Sequence, residues 1–149
     1  HVMRRYRKSE CPISNVQYPM SKSGQGLLVK EAAYDLEDRL IDFSVRIIRL
    51  SEALPNTKAG AHVAGQILRS GTSPAPNYGE AQASESAADF IHKLKIALKE
   101  MRETGIWLRL IAKAHMVKSE VQLAPLQQET DELIAILFAS IRTAQKGKP

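Results

Sequence analysis

Glu85, Asp89 and His92 stand four and three positions apart in this 149-residue chain, so a helix would carry them on one side. A carboxylate followed three residues later by histidine is a repeating element of di-iron bundles, but such a centre needs a second copy and two further carboxylates. No other Asp or Glu here precedes a His by three, and the group reads as surface or interface polarity. His62 and His115, near expected helix ends, read as polar packing or as partners of a C-terminal helix dipole. Gly71, Thr72 and Ser73 would suit a phosphate cradle, yet neither Gly-x-x-x-x-Gly-Lys-Ser/Thr nor Gly-x-Gly-x-x-Gly occurs. The small residues from Ser70 to Asn77 fit a close helix contact better, with Asn77 and Glu80 as its polar partners. No serine lies in a Gly-x-Ser-x-Gly context, and the lone Cys11 excludes both an intramolecular disulfide and a cysteine zinc site. The residues therefore point away from an enzyme and imply no metal or cofactor, and the cysteine usage suits a reducing cytoplasm.

Lys95, Lys99, Arg102, Arg109 and Lys113 follow one another at four, three, seven and four residues, which lines them along one side of a helix. A basic stripe of this kind can track nucleic-acid phosphates. It can equally be half of an ion-pair seam, because Glu31, Asp35, Asp38 and Asp42 form a complementary acidic stripe, and Lys99 can pair with Glu103 along its own helix. The pairing is the preferred reading, since exposed charges mostly serve solvation and weak pairing, and aromatic residues for base stacking are missing beyond Trp107. The chain's net charge of +5 does not decide between them. Residues 1 to 30 hold six Lys or Arg and one Glu, whereas residues 31 to 149 hold fifteen of each sign, so the whole excess belongs to the first segment. That segment, rich in Pro, Gly, Ser and Asn without a sustained apolar period, is expected to be a basic tail or arm, and it contains no apolar core of a secretory signal.

Elements able to position these groups follow from apolar spacing. At 44% hydrophobic residues the chain suits one globular domain, and residues 31–149 show no strand alternation. Leu36, Leu40, Phe43, Ile47, Leu50 and Leu54 predict a first helix over about 35–53, ended by Pro55, with Asn56 and Thr57 as acceptors for the next helix's free amides. Val63, Ile67, Gly71, Pro74, Tyr78 and Ala81 continue the period over 58–82, while Pro74 and Pro76 predict a kink or short break. Ala87, Phe90, Leu94, Leu98, Met101, Gly105, Leu108 and Ala112 mark a third helix over 86–115. Leu123, Leu126, Thr130, Leu133, Leu137, Ser140 and Ala144 mark a fourth over 119–146, with Ser119 and Gln122 as a capping box and Pro125 in its first turns. Four amphipathic stripes joined by short turns predict an all-α, antiparallel up-down four-helix bundle over 31–149.

Two of these helices are apolar beyond one stripe. Leu133 to Ile141 is hydrophobic almost all round, far short of the roughly 18 residues of a membrane span, and Ile41, Val45 and Ile48 widen the first helix's apolar face. Four helices offer such surfaces only limited cover, so Ile41, Val45, Ile48, Ile134, Phe138 and Ile141 are expected to form a homo-oligomer interface, with a broad core inside one chain as the alternative.

Gln66-Ile67-Leu68-Arg69-Ser70-Gly71-Thr72-Ser73, then Asn77-Tyr78 and Glu80-Ala81-Gln82, resemble the four helix bundle proteins known as 23S rRNA intervening sequence proteins. Asp89 to Glu100, Arg102-Glu103-Thr104, Trp107-Leu108, and Arg46 to Leu50 ahead of Leu54-Pro55 are similar to that family in the same order, over about residues 35–146. Pro74-Ala75-Pro76 departs from it where members often carry Val-Gly-Ala. The resemblance implies a bacterial four-helix protomer, commonly a ring-like pentamer, with no established enzyme activity. It also implies similarity to the accessory variability determinant of diversity-generating retroelements, a basic helical oligomer associated with a reverse transcriptase and its RNA template. Two functions stay open: an oligomeric bundle that binds RNA, DNA or a nucleic-acid-processing partner, and a purely structural or protein-interaction bundle.

Overall fold

A computed structural model describes residues 36–118 and 123–147, and within them the chain is helical with no strand. The first helix, α1 (Leu36–Ala53), buries Leu36, Leu40, Phe43, Ile47 and Leu50, and the buried Leu54 closes the row before Pro55 ends it. Thr57 then caps α2 (Lys58–Thr72): its hydroxyl accepts from the Gly60 amide at 3.0 Å. The turn needs a glycine, because a Cβ at Gly60 would lie 1.9 Å from the Pro55 carbonyl oxygen. Farther along α2, a Cβ at Gly71 would come within 2.7 Å of Ile47 Cγ2, so the absent side chain sets how closely α1 and α2 approach.

The expected break falls on one residue, Ser73, between α2 and α3 (Pro74–Gln82). Ser73 stays right-handed helical at φ −67°, ψ −34°, and bonds bridge it in both directions: its amide donates to Arg69 and its carbonyl accepts from Asn77. Asn77 Nδ2 adds bonds of 3.0 Å to the Ser73 carbonyl and hydroxyl. Pro74 and Pro76 occupy the first turn of α3, the one place where their missing amides cost little.

Ser86 opens α4 (Ala87–Lys113) by accepting from the Asp89 amide at 3.1 Å. α4 buries the expected Phe90, Leu94, Leu98, Met101 and Leu108, and a second row of Ile91, Ala97, Thr104 and Ile111 that a single seam does not anticipate; Ala87 is exposed instead. α4 packs far more extensively on α3 and α5 than α1 does, so it needs the wider face. Where it crosses α2, the buried hydroxyls of Ser70 and Thr104 share a hydrogen bond of 3.0 Å. The last helix, α5 (Leu123–Lys146), carries Pro125 in its first turn and buries Leu123, Leu126, Thr130, Leu133, Leu137, Ser140 and Ile141. The proposed cap at Ser119 and Gln122 lies outside the described residues, as do residues 1–35.

α2 and α3 together form one arm of a four-helix bundle. α1 and α4 each pack on that arm and on α5, which leaves them diagonal to one another. Arg39 ties α1 to α5 through a bidentate pair with Glu129, both bonds 3.0 Å, and a further 3.0 Å bond to Glu132.

Gly60→Ala should lower thermal stability by about 1–3 kcal/mol through the clash with the Pro55 carbonyl. Gly65→Ala, at an exposed helical position with nothing within 4 Å of the new Cβ, should raise it by up to about 1 kcal/mol. Thermal denaturation of the two variants checks both signs, and equal effects would contradict the packing of the turn.

Candidate functional site

Lys95, Lys99, Arg102, Arg109 and Lys113 all project from α4 into solvent, and none makes an ion pair among the described residues. The expected Lys99 to Glu103 pair is not formed. Glu103 is taken across the helix interface by Arg69 of α2, whose other guanidinium nitrogen bonds Glu100 at 2.8 Å. Arg69 reaches both carboxylates because Glu100 and Glu103 stand one turn apart on the flank of α4 that faces α2, whereas Lys99 points outward. The Arg69 hydrogen bond holds the Glu103 carboxyl below the usual range; a bond from Trp107 Nε1 at 3.2 Å and the nearby Lys99 charge act in the same direction. Asp38 and Asp42, the described half of the acidic stripe, are likewise exposed and make no ion pair among the described residues, and Glu31 and Asp35 lie outside the described residues. Because α1 and α4 are diagonal, Asp38 and Asp42 do not reach the basic stripe inside one chain.

The apolar surface divides in the same way. Ile41, Val45 and Ile48 are 45%, 39% and 40% exposed and form a row along the outside of α1. On the other side of the bundle Ile106, Leu110 and Phe138 are 56%, 40% and 45% exposed, with Ile134 half-buried beside them. Ile141 is placed differently from the expectation: it is buried in the core, because it stands one turn after Leu137 and shares that residue's inward side. Ile106 and Leu110 were missed in the sequence, although their four-residue spacing, inside the basic stripe, carries the same signal as the row on α1. Between α4 and α5 lies a groove of about 480 Å³. Gly105 and Ile106 from α4 and Ile134 from α5 line it, Arg102 and Arg109 stand on one rim, and Asp131 faces them from α5.

The remaining candidates do not assemble. Glu85, Asp89 and His92 are exposed, and among the described residues no three of His, Cys, Asp and Glu gather as a metal site. Lys93, beside Asp89, pairs with Glu80 of α3. His62 packs edge-on against Trp107, ring centroids 6.1 Å apart. His115 follows α4 in the left-handed region at φ 49°. Thr72 donates its hydroxyl to the Leu68 carbonyl at 2.6 Å and Gly71 faces Ile47, which leaves no open cradle at Gly71-Thr72-Ser73. Cys11 lies outside the described residues. No described helix is long and apolar enough to cross a membrane.

The protein is thus of the all-α helical-bundle class, and its unsatisfied chemistry lies on outward faces. The chain belongs to the 23S rRNA-intervening sequence protein family, whose pattern matches residues 34–139. It is similar to a protein of unknown function from the S23 ribosomal protein family of Bacteroides thetaiotaomicron VPI-5482, whose crystal structure aligns at a TM-score of 0.67 with 37% sequence identity, over 72% of this chain and 98% of that one. Among curated proteins none matches.

The Arg69 network has a pH signature. A carboxyl held below its ordinary range stabilises the fold above that range, and the contribution disappears as pH falls through the lowered value. Glu103→Gln should therefore cost up to about 1 kcal/mol at pH 7, as for a largely solvated pair, and the difference should close as pH falls below the ordinary carboxylate range and the wild-type carboxyl takes up its proton. Urea titrations over that range check it; a gap independent of pH would mean that the charge of Glu103 contributes nothing.

Proposed function

We propose that this protein is a non-catalytic, self-associating helical bundle. The observation that carries the reading is the row of Ile41, Val45 and Ile48 on α1, exposed although it continues the apolar face of a helix already packed on its inner side. Three large aliphatic side chains in line, matched by Ile106, Leu110 and Phe138 elsewhere on the surface, amount to the kind of apolar patch that soluble proteins cover with a partner. Another copy is the partner always available. Family resemblance implies five subunits.

A second reading rests on Lys95 and Lys99. They lie on α4 before Ile106, are exposed, and carry charges that no described carboxylate neutralises by an ion pair. An assembly that repeats this pair in every subunit would offer several phosphate contacts at once, and affinity would then fall steeply with salt. RNA or DNA is the ligand class such a surface suits.

Light scattering at micromolar concentration should give a mass several times the 16.5 kDa of one chain; a mass of 16.5 kDa would contradict self-association. Titration of a structured RNA across a salt series should show binding that weakens with salt, and Lys95→Ala with Lys99→Ala should flatten the logarithmic salt slope by about two without changing the mass. Absence of binding at low salt would remove the nucleic-acid reading and leave the structural one.

A further inference from the structure

Resting on the proposed self-association, the structure points to which faces meet: we infer that the outer face of α1 from one copy docks into the α4/α5 groove of the next. Three observations support the match. Each face is an apolar centre beside charge of one prevailing sign. Ile41, Val45 and Ile48 run beside the exposed Asp38 and Asp42, with Glu37 and Glu52 toward the helix ends and Arg49 as the exposed basic exception. Ile106, Leu110 and Ile134 run beside Arg102, Arg109 and Lys113, with Asp131 as the acidic exception. Bringing α1 faces together, or grooves together, would place like charges opposite one another at an apolar contact; bringing one of each together places carboxylates near guanidinium groups.

Shape agrees with charge. Gly105 lines the groove between Arg102 and Arg109 and brings no side chain into it. The row of aliphatic side chains on α1 is the complementary form. The third observation is topological: α1 and α4 are diagonal in the bundle, so one copy presents the two faces on different sides. A contact between unlike faces is heterologous. It leaves one free face of each kind after every addition, and it closes only as a ring or continues as a filament.

Two blocked variants test the pairing. Ile41→Asp with Val45→Asp removes the α1 face and leaves the groove; Ile106→Asp with Leu110→Asp removes the groove face and leaves α1. All four positions are exposed in the single chain, and circular dichroism should show unchanged helix content in both. Each variant alone should sediment as a monomer. Mixed in equal amounts, they should form a complex of two chains and stop there, because the mixture retains one competent face of each kind. Retained self-association of either variant alone would overturn the inference, as it would show like faces meeting. Monomers in the mixture, with the wild type assembled, would overturn it too. A monomeric wild type would instead defeat the self-association on which the inference rests, so the two failures are distinguishable.

Discussion

A helix in a four-helix bundle can bury only the side that faces its neighbours, and a chain with more apolar surface than that must find cover elsewhere. The constraint orders this molecule. On α1 the inner row from Leu36 to Leu50 is consumed by the core, so Ile41, Val45 and Ile48, displaced to the opposite side by the helical repeat, are left outside. α4, in contact with three other helices, spends two rows inside and still presents Ile106 and Leu110 to solvent. Diagonal packing of these two helices turns the surplus into two separate faces rather than one broad patch.

Among the described residues the ion pairs join helices, and the outward charges make none. Arg39 links α1 to α5, Arg69 links α2 to α4 and Lys93 links α4 to α3. All three cations lie at helix interfaces, where one guanidinium or ammonium can meet carboxylates from a different element. The outward stripe of α4 and the acids of α1 have no such neighbour. Their separation on one surface is what allows the same residues to be read as phosphate contacts or as the two halves of an interface between copies.

Most of the fold was legible from apolar spacing, because a core row leaves a periodic trace: on α1, and along α2 and α3, every residue of the expected seam is buried. Proline positions were legible in part. Pro74 and Pro76 forecast an interruption, but only the structure shows that Ser73 keeps a helical backbone and lets both prolines sit in a first turn. The faces were harder to read. Ile141 belongs to the core because a buried stripe several residues wide includes positions flanking the seam, and a run that is apolar on all sides carries no mark of which side faces in. The partner of Glu103 was hidden for a different reason. Spacing along one helix identifies Lys99 as a neighbour, while the competing Arg69 stands 34 positions earlier and becomes adjacent only through packing.

What unifies the account is that two faces, one on α1 and one on α4 and α5, are complementary and cannot satisfy each other within a chain. Hydroxyl-radical footprinting of the wild-type protein at micromolar concentration beside the groove-blocked Ile106→Asp, Leu110→Asp variant addresses this most directly. Ile41, Val45 and Ile48 should be protected in the wild type and become labelled in the variant, although the substitutions lie on another helix. Equal labelling of the α1 row in both proteins would contradict the account.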